Sequence, residues 1–325
     1  MLFFTTRGRV HWLKVWDLPE QARTSKGRSV ANLLHLETGE QIASCKAVRD
    51  FADKSRSLVM ITRRGLVKKT KLEAYSRPKK NGIIAMGLKE GDELVQAMIT
   101  QPGDELVIAT AKGMTIRFRE SDARPMGRSA CGVKGIRLGT DDHVVGAVVA
   151  DPDGYLLTVC EHGYGKRTPF GPNSTEPIPM EDDLPLTDGD SDEISADVDE
   201  ATDVENTTDA ENVDDASDGD DTVDNGDSVD GEERNSGRSY RTQKRGGKGI
   251  RDIKTTKRNG SVVSVVCVSD TDDLFVMTAR GKLQRIRVSD VSVVGRNTQG
   301  VRIMNLDDGD SVIAAKRVPP EEVTA

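Results

Sequence analysis

Five segments of this chain repeat one scheme, which limits the folds open to it more than any other feature does. Each is an apolar strand ending in a small residue, then two variable residues, a glycine and a second strand. The strands open at Leu2, Leu58, Leu106, Leu156 and Leu274, and the glycines are Gly8, Gly65, Gly113, Gly163 and Gly281. Successive glycines lie 57, 48, 50 and 118 residues apart. A second glycine follows in each copy: Gly27, Gly82, Gly132, Gly249 and Gly300. Four of the five intervals between the two glycines are 17 or 19 residues, while Gly163 to Gly249 is 86. Five repeats are therefore present, and the fourth carries an insertion.

The first glycine of each repeat is expected in a tight turn that needs a positive φ. Turns such as Lys89-Glu-Gly-Asp92 and Asp307-Asp-Gly-Asp310 join later strands. Runs such as Val262 to Val268 are rich in β-branched residues and short for helices. Repeats near fifty residues, each of four short strands, predict an all-β, propeller-like fold of about five blades. The Trp-Asp and Gly-His marks of WD40 blades do not recur. The last strand, Val312 to Val318, is a candidate to complete the first repeat.

Charge divides the chain. Its net charge is −8, yet between Glu181 and Glu233 there are 24 acidic residues and no Lys or Arg. Outside that stretch 46 basic residues face 30 acidic ones, an excess of 16. A basic body predicts a polyanionic partner, above all nucleic acid. The boundaries follow: residues 1–170 hold repeats 1 to 3 and the start of repeat 4, and 171–237 form a disordered acidic insertion. Residues 238–318 complete repeats 4 and 5, and 319–325 are a tail. The insertion is expected to compete with DNA for the basic surface. Its carboxylates do not reproduce an EF-hand loop.

Cations cluster on the second strand and the connection after it in successive repeats: Arg9 and Lys14, Lys68 and Lys69, Arg117 and Arg119, Lys166 and Arg167, Arg285 and Arg287. Recurrence at one blade position predicts a band around the rim, suited to a bent duplex held through its phosphates. For any single pair, edge-strand protection against aggregation is the simpler account. The segment from Tyr240 to Ile250 places Arg241, Gln243, Lys244, Arg245, Gly246, Gly247, Lys248 and Gly249 in one glycine-rich basic loop, able to approach phosphate closely. It is not a Walker loop.

Other chemistries find no support. Cys45, Cys131, Cys160 and Cys267 are scattered and expected as reduced core thiols of a cytoplasmic protein. His11, His35, His143 and His162 lack metal-ligand spacing, no metal site is expected, and no hydrolase motif is present. No apolar run has the length of a membrane span.

Gln243 to Gly249 resembles the seven-residue hallmark box of the DNA gyrase A family. Arg124 to Leu138, Gly163 to Pro169 and Gly295 to Arg302 also resemble segments of that family's C-terminal domain. The resemblance covers nearly all of the chain outside the insertion. It implies a β-pinwheel whose blades exchange strands and whose rim wraps double-stranded DNA, in support of ATP-dependent negative supercoiling. It further implies gyrase subunits as partners and a cytoplasmic, nucleoid-associated place. No cofactor is expected in this chain, since ATP and Mg belong to other parts of a gyrase. Against the family's usual six blades, the chain begins at what resembles the second, and its box-like segment lies in the last repeat but one. None of Tyr75, Tyr155, Tyr164 or Tyr240 resembles the family's catalytic tyrosine. The alternatives are the corresponding domain of topoisomerase IV, which lacks a well-formed box, and a free-standing nucleoid module.

Overall fold

The computed structural model describes residues 1–22, 24–77, 79, 81–174 and 237–320. The expected disorder and DNA competition of the insertion fall on residues 175–236, outside the described residues. So does the end of the tail.

Repeat 1 supplies β1 (Leu2–Thr5), β2 (Arg9–Trp12) and β3 (Ile42–Lys46). Repeat 2 supplies β4 (Ser57–Thr62), β5 (Leu66–Lys71), β6 (Ile83–Ile84) and β7 (Leu94–Thr100). Repeat 3 supplies β8 (Glu105–Thr110), β9 (Met114–Arg119), β10 (Val133–Lys134) and β11 (Val144–Val149). Repeat 4 supplies β12 (Tyr155–Cys160), β13 (Tyr164–Pro169), β14 (Ile250–Arg251) and β15 (Val262–Val268). Repeat 5 supplies β16 (Asp273–Thr278), β17 (Leu283–Arg287), β18 (Val301–Arg302) and β19 (Val312–Val318). The fold is all-β and propeller-like, with five blades.

The five hairpin glycines sit at φ between 72 and 84°, the left-handed backbone their turns require. Each blade, however, is not one repeat. The short third strand of a repeat pairs with the preceding blade, giving sheet orders β3-β1-β2-β6, β10-β5-β4-β7, β11-β8-β9-β14, β15-β12-β13-β18 and β17-β16-β19. Four blades thus have four strands and the fifth has three, because no following repeat among the described residues donates to β17. Repeat 1 differs from expectation in the same way. Gly27 opens no strand; a 3-10 turn at Val30–Asn32 follows it, with no preceding blade in the described chain to receive a strand. The last strand does not complete repeat 1 either, for β19 pairs with β16 of its own blade.

Strand exchange is pinned by the same contact each time. The carbonyls of Gly8, Gly65, Gly113 and Gly163 each accept two backbone N–H bonds from the next repeat, for example from Asp252 at 2.9 Å and Ile253 at 3.4 Å onto Gly113. Only glycine fits: a Cβ at Gly113 would stand 2.2 Å from the Ile253 carbonyl oxygen.

Side chains of the central strands alternate between two neighbours. Leu58 and Met60 of β4 join the core shared with blade 1, while Val59 and Ile61 join the core shared with blade 3. Strands β4 and β8 are consequently buried along their whole length, and β12 from Leu156 onward. Leu274 and Val276 of blade 5 join the core shared with blade 4, while Met277 on the other face is 42% exposed. The cores hold few aromatic rings and many Val, Ile, Leu and Met, as a chain with 4% aromatic residues must. Successive blades meet along β3, β7, β11, β15 and β19, which places the exchanged strands at the outer edge.

Candidate nucleic-acid interface

The second strands β5, β9 and β13 lie one place in from the outer edge, under an exchanged strand and the connection leading to it. Burial there removes five of the expected rim cations from solvent. Lys68 and Lys166 are 0% exposed, Arg117 1%, Arg167 5% and Lys69 8%. Each is satisfied inside the protein, as a buried cation must be. Lys68 Nζ donates to the carbonyls of Ala85 at 2.7 Å and of Arg128. Lys166 Nζ makes the equivalent bonds to Asp252 O at 2.6 Å and Gly295 O at 2.9 Å, with the Asp252 carboxylate at 3.0 Å. Burial pushes Lys68 down to about 8, with no carboxylate to counter it. Lys166 is also lowered by burial, opposed by Asp252.

Arg117 pairs with Glu105 at 2.5 Å, Lys69 with Glu120 at 2.6 Å, and Arg167 with Asp270. Arg117 also donates to the carbonyls of Phe170 at 2.5 Å and Tyr240 at 2.9 Å, on either side of the acidic insertion. It bonds Asn173 Oδ1 at 2.8 Å, and half-buried Arg119 bonds Ser174 Oγ at 2.9 Å. Gly171 to Ser174, read from sequence as part of a disordered insertion, are thus tied to blade 3. The five buried cations of β5, β9 and β13 thus hold a structural role and do not line a rim band.

The expected exposure holds in blade 5, where no exchanged strand covers β17, and in part in blade 1, where β6 pairs only with Arg9 and Val10. In blade 5, Arg285 and Arg287 are exposed, Arg285 pairing with Asp273. In blade 1, Lys14 is exposed over the Trp16 ring at 5.1 Å, and Arg9 is half-buried with a bond to Asn81 O at 2.6 Å.

A different set of cations recurs in the open. Lys134, Arg251 and Arg302 each stand two residues after the second glycine, on β10, β14 and β18, and all three are exposed. Arg137 and Lys254, three residues further on in their repeats, are exposed too. Blade 1 carries Ile84 at this place, 52% exposed. Sequence reasoning passed over these residues, although their fixed offset from the second glycine marks them.

The glycine-rich loop lies beside this set. Gln243 N donates to Arg117 O at 2.7 Å, Gly246 N to Gly135 O at 2.8 Å, and Gly247 O accepts from Arg137 N at 2.8 Å. These bonds draw the loop from blade 3 onto the strand that repeat 3 lends to blade 2. Arg245 is committed to the fold, donating to Asp122 O at 2.9 Å and Lys134 O at 2.5 Å. Arg241, Lys244 and Lys248 are exposed. Gly246 and Gly249 have φ of 84 and 77°, and a Cβ at Gly249 would stand 2.5 Å from the Thr115 carbonyl oxygen.

A family model described as the DNA gyrase C-terminal domain, β-propeller, matches residues 1–49, 56–101, 104–151, 234–269 and 272–319, more than half of the chain. The chain belongs to this family. The DNA gyrase A protein of Salmonella typhimurium (strain LT2) is 36% identical over 318 residues, covering 98% of this chain and 28% of that protein. Its counterpart in Mycolicibacterium smegmatis (strain mc(2)155) is 35% identical over 327 residues, 100% of this chain and 31% of that protein. The chain therefore spans less than a third of those relatives. Two solved structures share its fold. The C-terminal domain of DNA topoisomerase IV aligns at a TM-score of 0.69 and 20% identity, over 98% of this chain and 78% of that one. The DNA gyrase A C-terminal domain aligns at 0.67 and 21%, over 97% and 81%.

Elsewhere in the chain, the four cysteines are free but not all in the core: Cys160 is buried and Cys45 exposed. Among the described residues no three His, Cys, Asp or Glu side chains converge as metal ligands, and no helix is long and apolar enough to cross a membrane.

Proposed function

We propose that this chain binds and bends double-stranded DNA along its exchanged outer strands, as the wrapping domain of a type IIA topoisomerase of the gyrase kind. The recurrence of exposed Lys134, Arg251 and Arg302 on successive outer strands, beside Lys244 and Lys248 of the glycine-rich loop, carries this reading. Cations spaced from blade to blade along an edge favour a long polyanion bent over several blades. In that setting the partners are gyrase subunits, ATP and Mg act on those other parts, and the place is the cytoplasmic nucleoid.

Two measurements test it. Binding of duplex DNA should weaken with salt, and charge reversal at Lys134, Lys244, Lys248 and Arg251 should flatten the slope by about 0.9 for each phosphate no longer neutralised. A nicked circle ligated with the protein should acquire a linking-number change that the same variant fails to produce. An unchanged slope in the variant refutes the placement of the interface; binding without a linking-number change refutes wrapping. Co-purification with gyrase subunits separates this role from a free-standing nucleoid module.

A further inference from the structure

Blade 4 holds two arginines against one phenol. Arg258 donates from Nε to Tyr164 Oη at 3.0 Å, and Arg302 donates from Nη2 to the same oxygen at 3.0 Å. Both guanidiniums lie over the ring, 5.1 and 5.3 Å from its centre. Tyr164 is 5% exposed, whereas both arginines are exposed. Among the described residues neither arginine pairs with a carboxylate, and their one further side-chain bond runs from Arg302 Nη1 to Asn305 Oδ1 at 3.4 Å.

The arrangement is built from three repeat segments. Tyr164 follows the hairpin glycine of repeat 4, where the other repeats carry Arg9, Leu66, Met114 and Lys282. Arg302 sits opposite Tyr164 on the strand lent by repeat 5. Arg258 comes from the turn between Lys254 and Gly260, which is folded by Asn259. That side chain is 0% exposed and bonds Thr256 N at 2.7 Å, Lys254 O at 3.0 Å and Gln299 O of repeat 5 at 3.0 Å. His162 Nδ1 lies 3.3 Å from Arg258 O. A fully buried asparagine thus locks both arginine-bearing segments together. The bonds from the two arginines also lower the Tyr164 hydroxyl pKa.

Two like charges converging on a neutral oxygen, with no acid between them, are costly unless an anion completes the group. The Nη pair of Arg258 and Nε of Arg302 make no bond to the described residues and remain to donate. The planar forks match a phosphate's oxygens. We propose that Arg258 and Arg302, aligned by Tyr164, clamp one phosphodiester of the bound duplex and so fix its register on blade 4. The ligand follows from the DNA reading above; the clamp itself follows from the geometry. Tyr164 is a positioning residue, and the arginines are the contacts.

The test uses the whole chain and a labelled duplex in which single phosphates are replaced, one position at a time, by neutral methylphosphonates. One position should weaken wild-type binding sharply and have no effect in Arg258→Gln/Arg302→Gln. The double variant should lower the salt slope by about 0.9, one phosphate rather than two. Tyr164→Phe keeps the ring and both charges, so it should keep the thermal midpoint and slope yet lose about three- to tenfold in affinity. A flat methylphosphonate scan, or a slope change of about 1.8 from two separate phosphates, overturns the clamp. Orthophosphate competing at constant ionic strength while the scan stays flat assigns the site to a free anion instead. If the chain binds no duplex, the wider reading fails first. The clamp is then judged by whether orthophosphate perturbs the tyrosine absorbance of wild type but not of the double variant.

Discussion

Arg117 and Arg285 stand four residues after the hairpin glycine of their repeats, and the chain laid over the second strand sets them apart. Arg117 lies under the segment that leads to β14 and is 1% exposed, with Glu105 at 2.5 Å and the carbonyls of Phe170 and Tyr240 as acceptors. Arg285 lies on β17, which no strand covers, and reaches Asp273 from a side chain 59% exposed. Arg117→Gln leaves the Glu105 carboxylate buried without its cation, a loss of about 3–5 kcal/mol. Arg285→Gln breaks an exposed pair and costs at most about 1 kcal/mol. Urea unfolding reads the difference. At a slope near 2–3 kcal/mol per molar, the Arg117 variant should unfold more than about 1 M earlier, and the Arg285 variant within about 0.5 M of wild type. Glu105→Leu with Arg117→Met should recover part of the loss, because no orphan charge remains. DNA binding should rank them the other way: the folded Arg117 variant keeps the wild-type salt slope, while Arg285→Gln lowers it by about 0.9 where the duplex reaches blade 5. Equal unfolding midpoints, or a flattened slope for the Arg117 variant, would refute the assignment of the second-strand cations to structure.

Lys68 makes stability depend on pH. Its folded value is near 8 against an ordinary 10.5, so the charged form is penalised in the fold. That penalty is complete below about 8 and is relieved as pH rises towards 10.5, so stability should increase across this window, by at most about 3 kcal/mol. Lys68→Met should remove that part of the rise in a urea series; an identical pH profile in the variant would sink the idea. The second glycines give a paired test. Gly249→Ala places a Cβ 2.5 Å from the Thr115 carbonyl oxygen, whereas at Gly27 nothing lies within 4 Å. Both carry positive φ, so Gly27→Ala should cost about 1–2 kcal/mol of strain, and Gly249→Ala about 3 kcal/mol or more. Calorimetric midpoints that fall equally would count against strand exchange at β14.

The repeats were legible because their anchors are local. A glycine needed for positive φ, between two strands a few residues apart, leaves its mark within one window of sequence. Strand exchange leaves no such mark. Strands β6, β10, β14 and β18 are two residues long, and their partners belong to the preceding repeat. Gly27 therefore looked like its four counterparts, although it opens no strand. The cation pattern misled for the same reason. A lysine on a second strand reads alike whether or not a later segment covers it, and for Lys166 the covering carbonyls of Asp252 and Gly295 lie 86 and 129 residues away. Tyr164 gathers its arginines from 94 and 138 residues away, beyond any spacing argument.

Blade 5 shows what the hairpins look like uncovered. Leu283 and Arg285 of β17 face solvent, while their counterparts on β9 are buried, Thr115 beneath β14 and Arg117 beneath the segment that leads to it. Adding one short strand and the segment that leads to it thus converts a solvent-facing row into a buried one and presents a new row, Lys134, Arg251 and Arg302, one strand further out. An interface that follows the outermost strand must then shift inward by one strand at blade 5. There it would use Arg285 and Arg287 in place of an exchanged-strand cation, which is why charge reversal at Arg287 should weaken DNA binding while reversal at buried Lys166 should act through folding alone. Finding both variants folded, with the Lys166 variant the weaker on DNA, would break this link between strand exchange and the position of the interface.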